Sequence, residues 1–525
     1  MEFDPVLVHD WLRRSAKRFS QKEALICGQE RLTYKTIDEL TDRLAHVLLD
    51  AGVKRHDRVV ILLDNSCEAV ISIYGILKAG ASFVILDGSV KSHKLKYIIN
   101  SCGPKLLITH TSKAKVVIEA ISNKEDKIKI IWVGPQKEIS SLVDYSFLSW
   151  ETVLSGNFSI SDEKLPGCIE IDLASLIYTS GSTGEPKGVM ATHHNMISVA
   201  RSVIEYLDNN ESDIILNVLP LSFGYGLYQV IMAFMYGGTV ILEKSFLYVH
   251  PLLEIIKREK VTGIPLVPTV LALLLRLEDL SKYDFSSVRY ITNAGAALPK
   301  SHTLSVRKMF PHIKIFSMYG LTECKRATYL PFEELDSKPD SVGGPIPNTE
   351  VFVVDENGKL VSPGQHGELI IRGPHVMQGY WNDSELTAKT FRPGRYPGEK
   401  VLHSGDYFRI DEKGFLFFIG RKDDMIKCRG ERVAARELEN ILSELEGIAE
   451  TAVIGLPDEV LGQAIKVFVV KINGADLTEK EILKYCSINL ENYMMPKYVQ
   501  FIDKLPRMPN GKIDKIKLIE GDFEN

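Results

Sequence analysis

The sequence lacks any apolar run long enough to cross a membrane: no window approaches eighteen uninterrupted apolar residues. Its start, MEFDPVLVHDWLRRSAKRF, sets charges among the apolar positions, which excludes the apolar centre of a signal peptide. Neither sign of charge dominates. With 63 Lys and Arg against 68 Asp and Glu in 525 residues, the chain has no basic excess of the kind that binds nucleic acid. Cysteine is sparse: Cys27, Cys67, Cys102, Cys168, Cys324, Cys428 and Cys486 are scattered, odd in number and form no C-x-x-C pair, so reduced thiols and no zinc site are expected. No internal repeat and no low-complexity linker occurs. A Walker loop is missing too, because G-x-x-x-x-G-K-[ST] begun at Gly181 would need glycine where Pro186 stands. From these absences a cytoplasmic protein acting on small molecules is expected, with no nucleic acid partner and no integral membrane segment.

What is present is α/β alternation on a scale too large for one ordinary core. TYKTIDELTDRLAHVLLDAG, from Thr33, has a capping hydroxyl, apolar residues at helical spacing and Gly52 as a stop. DRVVILLD, ASFVILD and PKLLITH read as buried strands, separated by the helical runs EAVISIYGILKAG and KLKYIIN. That order predicts a parallel sheet flanked by helices. A second alternation runs from ILNVLPL through TVILEK, GIPLVP and RYITNAG to IKIFSMYG. From Ser341 to Gly420, short strands and turn signals such as DENG and SPGQHG predict a β-rich subdomain. A charged hairpin, GRKDDMIKCRGERV, and an α+β tail ending LPRMPNGKIDK follow. The expected fold is α/β: a large N-terminal lobe of mixed parallel sheets flanked by helices plus the β-rich subdomain, residues 1–421, and a small mobile α+β C-terminal lobe, 422–525.

The densest chemistry lies in TSGSTGEPKGV, Thr179 to Val189, directly after the apolar LASLIY. Glycines let backbone N–H groups curl around an oxyanion, Ser and Thr add hydroxyl donors and Lys187 adds a cation, so the run suits a triphosphate. Gly/Ser/Thr/Pro clusters are also ordinary surface loops, and the distinction rests on four further segments. These are NAGAALP at Asn293, MYGLTE at Met318, HSGDYF at His403 with GRKDDMIKCRGER at Gly420, and PNGKIDK at Pro509.

Together the five resemble the adenylate-forming superfamily of acyl-CoA synthetases, aryl-acid and acyl-carrier ligases, luciferases and nonribosomal adenylation domains, from the helix at Thr33 to Lys512. The resemblance implies that Thr179, Ser180, Gly181, Ser182, Thr183, Gly184 and Lys187 hold the β- and γ-phosphates of ATP. It implies that Gly295, Ala296 and Ala297 line the adenine and that Tyr319 stacks on it. Thr322 would meet the α-phosphate and Glu323 would bind Mg²⁺, a cation suited to few carboxylates plus substrate phosphates. Asp406 and Arg421 would take the ribose, and Arg432 a phosphate. Lys512 would bridge the carboxylate and the α-phosphate, where a cation lowers the barrier for two anions that must meet. Asp423 matches the family's hinge, and Gly430 would let a pantetheine arm pass along the backbone after the lobe turns.

Substrate choice is set elsewhere. Amino-acid adenylation domains commonly place an aspartate after an S-F pair to meet the substrate's α-ammonium, whereas this chain reads LPLSFGYGLYQV with Gly224 in that position. A buried ammonium without a carboxylate is costly, so a carboxylic acid lacking that charge is expected. Phe223, Gly224, Tyr225, Gly226, Asn293 and Gly320 are candidate pocket residues, and an apolar helix face beside a core explains several of them equally well. Lys325 and Arg326, after Cys324, depart from the small or hydroxyl residues common after Y-G-L-T-E; one of them is expected to meet an anionic substrate or the acceptor's phosphate. The predicted activity is an AMP-forming acid–thiol ligase using ATP and Mg²⁺, with CoA or a phosphopantetheinyl carrier protein in trans as acceptor. The alternatives are a stand-alone amino-acid adenylating enzyme loading a carrier, an ADP-forming kinase or hydrolase, and a non-catalytic nucleotide-binding protein.

Overall fold

The computed structural model describes residues 4–122, 128–135, 147–155, 165–180, 186–246, 248–275, 277, 280–295, 300–421, 425–428, 431–458, 461–490, 494–507 and 513–521. Its contacts divide it into two compact units, 1–351 with 371–403, and 352–370 with 404–525. The boundary expected at 421/422 falls inside the second.

The first unit is built on two sheets. In one, among the described residues, the strands run in the order Phe147–Ser149, Lys129–Val133, Leu106–His110, Arg58–Leu62, Ser82–Leu86, Leu173–Ser180, Pro186–Thr192. All neighbours are parallel except the last pair, an antiparallel hairpin. The strands are apolar on both faces because helices such as Cys67–Lys78 and Ser92–Cys102 cover them. Val60, Leu62, Val84, Leu107, Ile130 and Leu176 interlock there with Leu95, Ile98 and Ile99. The helix expected from Thr33 spans Tyr34–Asp50, and the Thr33 side chain accepts from Thr36 N as a cap.

The other sheet has a parallel centre, Thr239–Leu242, Ile214–Asn217, Gly263–Leu266, Tyr290–Asn293 and Lys314–Tyr319 in that order. On one side it is extended by Glu23–Cys27, whose Leu25 lies parallel beside Val240. On the other, Lys314–Tyr319 pairs antiparallel with Thr328–Tyr329. Of the β-rich strands expected between Ser341 and Gly420, Ser341–Pro345 and Phe391–Pro393 fall in the first unit, while the second holds Leu416–Arg421 and most of its antiparallel partner Lys400–Ile410. It also carries an α+β sandwich in which helices Ala435–Ser443 and Glu479–Asn489 share a core with strands Ile448–Asp458 and Gly462–Lys471. A capping box between Thr478 and Glu481 starts the second of these helices.

Candidate active site

Open α/β sheets bind ligands beyond the carboxyl ends of their parallel strands, where turns and helix N-termini are exposed. In the second sheet the register sets Leu266 beside Asn293 and Asn293 beside Ser317, so their exits share one edge. Phe223, Gly224, Asn293, Gly295, Tyr319 and Gly320 all follow or end these strands. Several of the candidates therefore meet on that edge of the first unit.

The exit from Ile214–Asn217 leads into helix Gly224–Tyr236. Buried Asn217 pins that turn, its Nδ2 donating to the Gly226 carbonyl at 3.1 Å and its Oδ1 accepting from Leu219 N at 3.1 Å. Gly226 packs so closely on the Pro220 and Leu219 carbonyls that any Cβ would overlap them. Its need for glycine is thus steric and lies within the protein's own backbone. Phe223, at the helix start, is 42% exposed. A Cβ on Gly295 would sit 3.9 Å from Phe223 Cζ and 3.8 Å from Val267 Cγ1, so this glycine keeps a narrow apolar gap beside the ring. Tyr225 is buried, its hydroxyl 2.6 Å from Thr292 Oγ1, and the Arg326 guanidinium lies 4.4 Å from its ring centroid. Burial pushes the Tyr225 phenol up to about 12.

The exit from Lys314–Tyr319 folds back tightly. Ala327 N donates to Tyr319 O at 3.0 Å and Lys325 N to Leu321 O at 2.7 Å. Gly320 has no room for a side chain because the Lys325 carbonyl occupies the place of its Cβ. Lys325 takes a left-handed backbone with φ +65°. This turn leaves Thr322 and Glu323 half-buried and drives Cys324 and Lys325 inward.

Glu323 is held by a residue the sequence did not mark. Tyr380 OH donates to Glu323 Oε1 at 2.6 Å, and Met377 N donates to the Glu323 carbonyl at 3.0 Å. The same stretch is bonded to the strand Pro186–Thr192, with Gln378 N on Met190 O, Met190 N on Gly379 O and Trp381 N on Gly188 O. Glu323 is thereby tied to the strand that leaves the Gly-rich loop. In that hairpin Thr179 stands opposite Lys187 and Ser180 opposite Pro186, so the hydroxyl of Thr179 and the ammonium of Lys187 share one face. The second oxygen of Glu323 accepts no hydrogen bond among the described residues, and no group of three or more His, Cys, Asp or Glu that could hold a metal occurs among them. A lone accessible carboxylate fits Mg²⁺ shared with nucleotide phosphates and does not fit an all-protein metal cage. Tyr380→Phe removes a hydrogen bond to a charged acceptor; it is expected to lower acid activation about 10-fold and to raise the Mg²⁺ needed for half-maximal rate, as a magnesium titration would show.

Lys325 is 7% exposed. Burial pushes its ammonium down to about 8, with Arg326 acting in the same direction and Glu323 and Cys324 opposing it.

In the second unit, Asp406 and Arg421 are direct cross-strand partners, Arg421 Nε lying 3.4 Å from Asp406 Oδ1. Arg432 lies in Glu431–Ala434 opposite Lys427, within the expected charged hairpin. Gly181, Ser182, Thr183, Gly184, Ala296, Ala297, Asp423, Gly430 and Lys512 lie outside the described residues.

The profile of the AMP-binding enzyme family matches residues 12–381, and that of the AMP-binding enzyme C-terminal domain matches 437–512. The chain belongs to the AMP-binding, adenylate-forming enzyme family. It is 33% identical to a long-chain-fatty-acid–CoA ligase of Bacillus subtilis over 98% of this chain and 94% of that one. It is 31% identical to bacitracin synthase 1 of Bacillus licheniformis, over 98% of this chain and only 9% of the synthase. Among solved structures, o-succinylbenzoate CoA synthetase from Bacillus subtilis in complex with its acyl-adenylate superposes with a TM-score of 0.82 at 27% identity, over 97% of both chains. The expected α/β fold of the adenylate-forming enzymes is the one observed, and among the described residues no helix is long and apolar enough to cross a membrane.

Proposed function

We propose that this AMP-binding enzyme activates a carboxylic acid as acyl-AMP and passes the acyl group to the thiol of CoA or of a phosphopantetheinyl carrier protein in trans. In the first step a carboxylate oxygen bonds to the α-phosphorus of ATP as the bond to the bridging oxygen breaks, releasing pyrophosphate. In the second the thiolate bonds to the acyl carbon and AMP leaves with the electron pair. The observation that carries this proposal is the junction at Glu323. One side chain joins, through Tyr380 and its neighbours, the strand behind the phosphate loop to the sheet edge bearing Phe223, Gly295 and Tyr319.

Each role follows from the residue type. Thr179, Ser180 and Lys187, with the glycine loop between them, receive the β- and γ-phosphates. The gap at Gly295, with Ala296 and Ala297, accepts the flat adenine, Tyr319 stacks on it, and Asp406 with Arg421 takes the ribose. Thr322 orients the α-phosphate. Mg²⁺, held by Glu323, would neutralise phosphate charge. Lys512 brings the two anions together. Asp423 acts as the hinge and Gly430 lines the thiol path between the two steps. Phe223 packs on the acyl group beside Gly224.

An amino-acid adenylating enzyme is the second reading, favoured by the likeness to bacitracin synthase 1. Against it stands the pocket's sign: Gly224 offers no carboxylate, and the buried cation Lys325 lies beside it. The test is exchange of labelled pyrophosphate into ATP across a library of carboxylic and amino acids, followed by transfer to CoA or to a phosphopantetheinylated carrier. Acid-dependent exchange is the expected result. ADP formation, or nucleotide binding without any AMP, would rule the proposal out.

A further inference from the structure

Helix Gly224–Tyr236 spans 13 residues, and its N-cap, Phe223, makes no side-chain capping bond. The positive end of its dipole and the N–H groups of Gly224 and Tyr225 are therefore left without a side-chain cap, whereas Gly226 N is bonded to Phe223 O at 2.9 Å. Against that end lies the Lys325 side chain: a Cβ on Gly224 would be 3.1 Å from both its Cδ and its Nζ. Lys325 Nζ is buried and has no hydrogen-bond partner among the described residues. Nearby charges do not supply one. Arg326 adds a second cation with its guanidinium over Tyr225, and Glu323 is engaged by Tyr380. A three-donor ammonium, buried beside the positive end of a helix and a guanidinium, is an arrangement that an anion would complete.

We propose that Lys325 and the N-terminus of helix Gly224–Tyr236 form a subsite for a second carboxylate of the acid substrate, so that the enzyme activates dicarboxylic acids. This rests on the acid-activating function proposed above and supplies the substrate class. The far carboxylate accepts from Lys325 Nζ and from the Gly224 and Tyr225 N–H groups, reaching them on the side where Gly224 carries no side chain and the ammonium shifts to meet it. The expectation of an acid without an α-ammonium becomes more specific: the place where amino-acid-activating relatives carry a carboxylate holds an ammonium here.

The test uses the full-length enzyme and pyrophosphate exchange with malonate, succinate, glutarate and adipate, each compared with its monomethyl ester, which keeps one carboxylate and nearly the same shape. Loss of one charge-assisted contact corresponds to roughly 10–100-fold. At least one diacid is expected to exceed its ester by that factor in kcat/KM, and Lys325→Met should bring the ratio close to one. Gly224→Ala, which pushes on the ammonium from the helix side, should lower the same ratio. Lys325→Met should also raise the melting temperature without ligand and abolish the further rise given by the preferred diacid in the wild type, whereas a purely structural lysine would give a lower melting temperature. Equal use of diacids and esters, or exchange supported only by other acids, overturns the subsite and leaves the acid-activating function standing. A rise confined to KM for CoA in Lys325→Met, with exchange unchanged, assigns the cation to the acceptor's phosphate and also overturns it. Absence of exchange with every acid of the wider library, at no gain of AMP, rejects the parent function and this proposal with it.

Discussion

Lys512→Ala is expected to reduce acyl-AMP formation by about a hundredfold to a thousandfold, the usual cost of removing a group aimed at charge developed in the transition state. The enzyme with this substitution should still convert supplied acyl-AMP and CoA to thioester at a rate near that of the wild type. The asymmetry follows from what each step demands. In the first, a carboxylate must approach a phosphate that is already anionic, while negative charge grows on the departing pyrophosphate. An ammonium bridging these oxygens acts throughout that change. In the second, the proposed turn of the small lobe about Asp423 takes Lys512 out of the site before the thiolate attacks and AMP departs, so its loss is expected to matter little there. Lysine suits the task because its charge rides on a flexible four-carbon stem. Rapid-quench measurement of AMP formation, set beside single-turnover transfer from synthetic acyl-AMP, separates the two steps. Equal loss in both would remove Lys512 from the proposed role.

Gly320→Ala should be comparably damaging for a different reason. A Cβ at this position overlaps the Lys325 carbonyl oxygen and lies 2.9 Å from Arg326 Cα, both backbone atoms that cannot rotate away. The turn from Tyr319 to Ala327 must open, which moves Thr322, Glu323 and Lys325 together. A displacement of about 1 Å in groups that position a reacting phosphate costs on the order of 100-fold in rate. Overpacking of this kind also costs about 1–3 kcal/mol of stability. Pyrophosphate exchange and urea denaturation of the same protein would show both effects. Gly167→Ala, where a Cβ meets nothing within 4 Å, serves as the comparison and should change neither. Near-normal exchange in Gly320→Ala would mean that the turn relaxes without moving Glu323.

Much of the fold could be read from local signals. The helix at Tyr34–Asp50 was marked by its Thr33 cap and apolar spacing, and the strands Arg58–Leu62, Ser82–Leu86 and Leu106–His110 by short apolar runs between helices. Such signals act within a turn or a strand. The first strand, Glu23–Cys27, gave no hint that it would join Thr239–Leu242, because its pairing depends on a segment more than two hundred residues away. The site divides in the same manner. Glycine, hydroxyl and lysine side chains in the loop at Thr179 state their chemistry locally, and MYGLTE offers its carboxylate openly. Tyr380 has no such signature: an aromatic residue before Trp381 resembles many core positions until its hydroxyl is seen 2.6 Å from Glu323.

The sequence by itself determined the α/β class, the caps and glycine turns, the five chemical segments and, through them, the family. These depend on periodicity and residue type, which are properties of neighbours. Only the tertiary structure decided that Tyr380 holds Glu323, that Gly320 makes way for a carbonyl, and that the Lys325 ammonium lies buried against the start of a helix begun at Gly224. The first and last of those contacts join segments far apart in the chain, and the turn at Gly320 takes its shape from the sheet and strands packed around it. They are fixed by how two sheets and their helices bury apolar surface together, and no stretch of neighbouring residues carries that information.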